Sequence, residues 1–257
     1  MRRARFSVLV ALMLLSACAS LTRTPRELAW STAQQLVLVV TPDWNSNRGV
    51  LRMYARGTAE WHSAGASVPV VIGRNGAAWG VGLHPSQTDG PTKREGDGRS
   101  PAGVFAIGTA FGYAPSENLA LPYRGLAADD YCIDVVDSPL YNRIVAAREV
   151  GAAAVAGATE PMRRDIHVDG DDAYKLGFVI EHNPRGIPGA GSCIFAHLWK
   201  SPDSATSGCT AMAEAALREL LHWLQPQSHP VFVLLPQSEY RRLRAAWQLP
   251  AVAEDAQ

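Results

Sequence analysis

The sequence lacks the short motifs that mark a metal site, a nucleotide site or a serine nucleophile. Its 4 cysteines and 7 histidines form no C-x-x-C or H-E-x-x-H spacing, so we expect no metal site. It has no glycine-rich phosphate loop and no G-x-S-x-G elbow. These absences lead us to expect no cofactor, and they leave cysteine as the candidate nucleophile.

The chain also lacks an excess of charge of either sign. Lys and Arg number 24, Asp and Glu number 24, and no basic block occurs. The electrostatic footprint of a nucleic-acid-binding protein is therefore missing, and we expect no nucleic-acid partner. Hydrophobic residues make up 47% of the chain, which is ample for a buried core.

No apolar run at the N terminus is long enough to span a bilayer as a helix. Residues 6–15 are apolar and follow a basic start at residues 1–5, an order typical of an export signal. Residues 15–18, Leu-Ser-Ala-Cys, resemble the lipobox of bacterial lipoproteins, which implies a lipid on Cys18. Because Ala19 follows, sorting signals of that kind imply a periplasmic protein anchored to the inner leaflet of the outer membrane. An ordinary secretory signal peptide is the alternative.

We expect one domain after the export signal, because no repeat and no Pro/Ser-rich linker divides the chain. Residues 1–17 are predicted to be the signal peptide, 18–30 a tether and 31–257 the domain. Apolar and β-branched runs predict strands at 35–40, 50–56, 68–72, 79–83, 104–107, 177–181, 193–199 and 231–235. Helices are predicted at 140–155, 212–224 and 239–247. The expected fold class is mainly β or α+β, with a few helices.

Cys209 is the residue whose neighbours best suit chemistry. It lies in the small-residue segment 207–210, just before a helix predicted from leucines at helical spacing. A helix start offers free N–H groups and partial positive charge, which favour the reactive thiolate. The same groups would stabilise an oxyanion formed by attack on a carbonyl. We therefore predict a cysteine nucleophile at a helix N terminus.

Two histidines compete for the role of base. His197 lies in the apolar run 193–199 and is joined to Cys209 by one short loop, which lets a strand end meet a helix start. His182 is the runner-up, because it also ends a predicted strand. A purely structural role is the alternative for either histidine, since most histidines within strands have one.

These segments resemble the catalytic domain of bacterial L,D-transpeptidases. The resemblance is carried by Gly191-Ser192-Cys193-Ile194-Phe195-Ala196-His197, by Ser207-Gly208-Cys209-Thr210-Ala211-Met212, and by the loop and strand at 93–105 with its Glu-Gly-Asp-Gly. It covers about residues 66–236. It implies a single β-sandwich domain that performs acyl transfer on peptidoglycan stem peptides through a Cys209 thioester.

The resemblance also implies a role for each site residue. Cys209 would attack the carbonyl between meso-diaminopimelate and a terminal D-Ala, and an amine would then resolve the thioester. His197 would carry the proton and be oriented by a backbone carbonyl at Ser207 or its neighbour. N–H groups from Gly208 to Thr210 would form the oxyanion hole. The implied oxyanion and substrate-binding set is Thr210, His182, Asp97 and Glu95.

Two features depart from the common pattern of that family. The loop between His197 and Cys209 has only 11 residues, and Ala211 stands where Arg or Asn is usual. The acyl acceptor therefore stays open among a crosslinking amine, a free D-amino acid and water. Water would make the protein a carboxypeptidase or an amidase. A non-catalytic lipoprotein that binds stem peptides is the alternative of another class.

Cys132 and Cys193 are left without a role. Thiols of exported proteins often pair, whereas free cysteines are often simply buried, and the sequence leaves both alternatives open. Strand alternation would place Cys193 on the same face as His197 but roughly 13 Å from it. A Cys132–Cys193 disulfide is our hypothesis, and it would stabilise the domain by about 2–4 kcal/mol.

Overall fold

The computed structural model describes residues 27–57 and 60–252. The predicted signal peptide, Cys18 and most of the predicted tether lie outside the described residues. Trp30, the last residue of the predicted tether, is buried and packs edge-on against Trp247, with ring centroids 5.6 Å apart. The folded domain therefore includes Trp30. No helix in the described ranges is long and apolar enough to cross a membrane.

Eight strands form a barrel-like sheet that closes on itself. In ring order they are β1 (Gln35–Thr41), β14 (Val231–Pro236), β6 (Ser100–Gly112), β11 (Leu176–Ile180), β12 (Phe195–Leu198), β13 (Thr210–Met212), β4 (Val68–Val71) and β2 (Arg48–Arg56). The ring closes because β2 pairs antiparallel with β1. Three short strands extend it: β3 (Trp61–Ser63) on β2, and β5 (Ala77–Trp79) and β7 (Tyr123–Gly125) on β6.

The expected class, mainly β with a few helices, is confirmed. The two-sheet sandwich that the resemblance implies is here a single closed sheet. All seven residues of β1 and all six of β14 are buried, because these two parallel strands lie between neighbouring strands and packed helices. The helices are α1 (Ala147–Val150), α2 (Arg164–His167), α3 (Glu214–Trp223) and α4 (Gln237–Leu243).

A smaller sheet of three strands lies beside the ring. It consists of β8 (Asp130–Cys132), flanked by β9 (Ile144–Ala146) and β10 (Glu160–Pro161). Cys132 in β8 forms a disulfide with Cys193, with the two Cα atoms 5.9 Å apart. The bond ties the small sheet to the segment that leads into β12. Cys193 itself lies outside β12 with φ of +55°, so the strand begins later than the predicted 193–199.

Three predicted elements differ from the structure. The segment 140–155 is a strand, a four-residue helix and a 3-10 turn, because Gly151 at φ +88° ends the helix. The strand predicted at 104–107 is thirteen residues long. The glycine-rich sequence before residue 104 is typical of a loop, which is why the strand is predicted too short. Gly103 is required within the strand because a Cβ there would lie 1.9 Å from the His84 ring. The strand predicted at 79–83 ends at Trp79.

Candidate active site

Cys209 lies at the start of a strand and not at the start of a helix, so that part of our prediction is wrong. It directly precedes β13, and α3 begins only at Glu214. The small residues around the thiol form a turn that feeds the sheet, and the leucines that predicted a helix lie one strand further on. The positive end of a helix is therefore not what activates the thiol.

The thiol and the imidazole of His197 line the same cavity, which has a volume of about 480 Å³. Strands β12 and β13 are parallel, with Ala196 opposite Thr210 and His197 opposite Ala211. Cys209 is thus two residues from the partner of His197 on the same face of the sheet.

Both groups are held in their neutral forms. Burial, helped by the charge of Glu160, raises the pKa of the Cys209 thiol to about 12, although the Phe195 N–H, the Tyr174 hydroxyl and Arg164 act in the opposite direction. Burial lowers the pKa of His197 to about 4. At neutral pH the resting pair is therefore a thiol and a neutral imidazole, which suits proton transfer during attack.

The tautomer of His197 follows from its hydrogen bond. Its Nδ1 lies 2.8 Å from the carbonyl oxygen of Leu198, and a carbonyl only accepts, so Nδ1 carries the proton. Nε2 is left as the proton acceptor. The prediction that a carbonyl at or next to Ser207 orients His197 is wrong, because the Leu198 carbonyl accepts the hydrogen bond from Nδ1. Ser207 lines the cavity, and its hydroxyl accepts a hydrogen bond from Arg74 Nη1 at 3.1 Å.

His182, the rival base, is a structural residue outside the lining of this cavity. Its Nδ1 accepts a hydrogen bond from the Val81 N–H at 3.2 Å, and its Nε2 donates to the Ala190 carbonyl at 2.9 Å. Both ring nitrogens are thus occupied, and burial lowers its pKa to about 4. The expectation that His182 binds substrate is therefore wrong.

The loop at 93–99 contributes one of its two predicted acids to the cavity. Glu95 lines the cavity, and its Oε2 accepts hydrogen bonds from the hydroxyls of Ser192, at 2.6 Å, and Tyr141. Asp97 does not line it. Asp97 instead accepts from Lys93 Nζ at 2.6 Å and from two backbone N–H groups of its own loop, so its role is to hold the loop.

Two of the three N–H groups predicted to form the oxyanion hole belong to residues that are engaged elsewhere in the fold. The Gly208 N–H donates to the Thr206 hydroxyl at 3.1 Å, and Thr210 belongs to β13, where it pairs with Ala196. The Cys209 amide is the remaining member of the predicted set. The Phe195 N–H, which no pattern in the sequence indicated, donates to the Cys209 sulfur at 3.3 Å.

Sequence reasoning missed a cluster beside the thiol that consists of the buried Tyr174 and the partly buried Glu160 and Arg164. Glu160 Oε1 accepts from the Tyr174 hydroxyl at 2.9 Å and from Arg164 Nη1 at 3.1 Å. The Tyr174 ring packs edge-on against the rings of His197 and Phe195, with centroids 5.2 and 5.4 Å away. No motif connects these three residues in the sequence, since they meet only through the small sheet and α2.

The chain matches no known protein family, no curated protein and no solved structure. Within the described ranges, no group of three or more His, Cys, Asp or Glu side chains is arranged to hold a metal ion. The site therefore rests on its own geometry: a thiol, a neutral imidazole whose Nε2 can accept a proton, and a partly buried Tyr–Glu–Arg cluster around one cavity.

Proposed function

We propose that the protein is a cysteine-dependent acyltransferase of the L,D-transpeptidase type, acting on peptidoglycan stem peptides. One observation carries the proposal: the Cys209 thiol and the His197 imidazole lie on one sheet face and line one cavity. The order of sequence motifs that resembles that family points to the same pair. The N-terminal export and lipidation signals add a periplasmic, membrane-anchored setting to the proposal.

The reaction proceeds in two balanced steps. The Cys209 sulfur attacks the carbonyl before the terminal D-Ala, and His197 Nε2 takes the thiol proton. The C–N bond breaks, and His197 returns the proton to the amine of the departing D-Ala. An acceptor amine then attacks the thioester and gives its proton to His197, which protonates the sulfur as the new amide forms.

The Cys209 environment favours attack that is concerted with proton transfer. A thiol with a pKa of about 12 is scarcely ionised at neutral pH, and a His197 with a pKa of about 4 is free to accept its proton. Negative charge that develops on sulfur is met by the Phe195 N–H. The Tyr174 hydroxyl can join it by turning its single proton from Glu160 to the sulfur. The proton therefore moves only when a substrate carbonyl is present.

Two experiments test this function. The purified protein is incubated with a carbapenem, and intact-mass spectrometry is expected to show one covalent adduct that peptide mapping places on Cys209. Purified muropeptides are then supplied with and without an amine acceptor. Release of D-Ala with formation of a new amide identifies a transpeptidase, and release without one identifies a carboxypeptidase. The Cys209→Ser variant is expected to form no adduct and no product.

The non-catalytic alternative has one observation in its favour. The high pKa of Cys209 makes the resting thiol a poor nucleophile, as it would be in a domain that only binds stem peptides. Absence of both the adduct and D-Ala release, in a folded protein that retains muropeptides, would establish that alternative.

A further inference from the structure

Four cationic side chains line the cavity of Cys209: Arg74, Lys93, Arg164 and Lys200. Three of them are paired with carboxylates. Lys93 Nζ lies 2.6 Å from Asp97, Arg164 lies 3.1 Å from Glu160 and 2.8 Å from Asp171, and Lys200 lies 3.7 Å from Asp171. Within the described ranges, Arg74 forms no salt bridge.

Arg74 is exposed, yet its guanidinium is held in place. Nη1 donates to the Ser207 hydroxyl at 3.1 Å, and the backbone N–H of Arg74 donates to the Thr206 carbonyl at 2.8 Å. The guanidinium lies against Gly98, where a Cβ would be 3.0 Å from the Arg74 Cζ. The side chain is therefore preorganised beside the nucleophile turn, with donors left over for a ligand.

We propose that Arg74 is the carboxylate subsite of this enzyme and binds the free carboxylate of the terminal D-Ala that Cys209 displaces from the stem peptide. The inference rests on the proposed function, since a terminal D-Ala carries that carboxylate one residue beyond the carbonyl under attack. A guanidinium matches a carboxylate with two parallel hydrogen bonds. The other three cations of the cavity would have to break a salt bridge before they could bind a ligand carboxylate, whereas Arg74 would not.

A second ligand could present a carboxylate to Arg74, because a free D-amino acid that acts as the acceptor carries a carboxylate next to its amine. By microscopic reversibility, an incoming D-amino acid occupies the place that D-Ala vacates. We assign the subsite to the leaving residue. Competition by free D-alanine, compared with D-alaninamide, shows whether the acceptor uses it too.

Binding is measured separately from turnover, so that the two proposals fail separately. A stem tetrapeptide ending in meso-diaminopimelyl-D-Ala, as the free acid or as the C-terminal amide, is titrated into the Cys209→Ser protein. The acid is expected to bind about 10- to 100-fold more tightly, as one charge-assisted pair would give. Arg74→Gln is expected to abolish that preference and leave amide binding unchanged.

The matched control is Lys200→Gln, which removes one positive charge from the same cavity and is expected to keep the preference. Arg74→Lys keeps the positive charge but loses the two parallel donors of the guanidinium, and it is expected to keep part of the preference for the acid. This variant also serves as the test if Arg74→Gln folds poorly. Equal affinities for acid and amide, no binding of either, or an equal effect of Lys200→Gln would each overturn the assignment. Whether the protein with Cys209 intact forms an adduct decides the proposed function independently.

Discussion

At the scale of single residues, the site combines a nucleophile and a base that are both kept neutral. Cys209 and His197 are each only 8% exposed, and burial disfavours the charged form of both. A preformed thiolate–imidazolium pair would require a raised His197 pKa and a lowered Cys209 pKa, which are the opposite of what the surroundings impose. In the proposed mechanism, attack therefore requires His197 Nε2 to accept the thiol proton.

The first prediction therefore concerns His197. Replacement by Ala is expected to lower the rate of acyl-enzyme formation by about 10²- to 10⁴-fold, the usual contribution of a general base. In the unsubstituted protein the rate is expected to hold down to about pH 5 and to fall as pH drops through about 4, where His197 takes up a proton. Stopped-flow or mass-resolved adduct kinetics across pH measures both effects. An acid limb near pH 6.5 would contradict the buried, neutral imidazole.

The second prediction concerns Tyr174, whose hydroxyl donates to Glu160 in the resting site and acts to lower the pKa of the Cys209 thiol, so its single proton would have to turn to the sulfur during attack. Tyr174→Phe keeps the ring contacts with His197 and Phe195 but removes a donor that favours the thiolate. We expect the rate of acyl-enzyme formation to fall about 10-fold or more, with the fold retained.

Tyr113→Phe is the matched control for Tyr174. The Tyr113 hydroxyl donates to the Asp171 carbonyl at 3.0 Å, and Tyr113 does not line the cavity. This variant loses a buried hydroxyl of the same kind and is expected to lose stability, by about 1 kcal/mol, without losing rate. Similar rates for the two variants would remove Tyr174 from the mechanism.

The residues that the sequence identified are those that stand in a recognisable local order. His197 lies in β12 and Cys209 directly precedes the neighbouring strand β13, with one short loop between them. Their closeness in the sequence therefore indicates that they are close in the fold. Glu160 and Tyr174 lie far from that segment and reach the thiol through tertiary packing, which no local pattern encodes. Cys209 was assigned to a helix start because three residues of β13, followed by Ala213, separate it from α3, and such a short strand carries no periodic signal.

At the scale of elements, the small sheet and the disulfide position the missed cluster. Glu160 in β10 pairs directly with Cys132 in β8, and Cys132 is bonded to Cys193. The carbonyl of Cys193 accepts from the Cys209 S–H at 3.5 Å. A short covalent and hydrogen-bonded path thus runs from the thiol to the carboxylate that holds Tyr174.

The third prediction is that removing the disulfide lowers activity as well as stability. In the Cys132→Ala/Cys193→Ala variant the free energy of unfolding is expected to fall by about 2–4 kcal/mol, because the unfolded chain is no longer crosslinked. The rate of adduct formation, measured well below the unfolding temperature, is expected to fall too, because β10 is no longer fixed against the thiol. Loss of stability with an unchanged rate would show that the bond serves the fold alone.

Elements with strong local signals were predicted well, and those defined by distant partners were not. The strands β1, β2 and β14 follow from local apolar and β-branched runs. The strands β8 and β10 have three and two residues and exist only because they pair with each other. Their sequences carry no alternation long enough to reveal them.

At the scale of the whole molecule, closing the sheet buries three histidines that differ in partners but share one electrostatic property. His84, His182 and His197 each have a pKa lowered chiefly by burial. A histidine whose pKa is lower in the folded state stabilises the fold above its unfolded pKa, near 6.5, and that stability is lost as pH falls toward the folded value. These three buried histidines therefore make the folded state less stable as pH falls below about 6.5.

The fourth prediction is that the free energy of unfolding falls as pH is lowered from 7 to 5. Glu160 and Glu181 act in the opposite sense, because burial raises their pKa values and their contribution is lost as pH rises. Because three histidines oppose two carboxyl groups, we expect the slope to keep the sign that the histidines set. Urea unfolding at several pH values measures the slope, and NMR titration is expected to show the His182 and His197 imidazoles still neutral at pH 5.5. A stability that rose toward pH 5 would contradict this prediction and show that Glu160 and Glu181 outweigh the histidines. Imidazoles that titrate near 6.5 in the folded protein would show that burial does not hold them neutral.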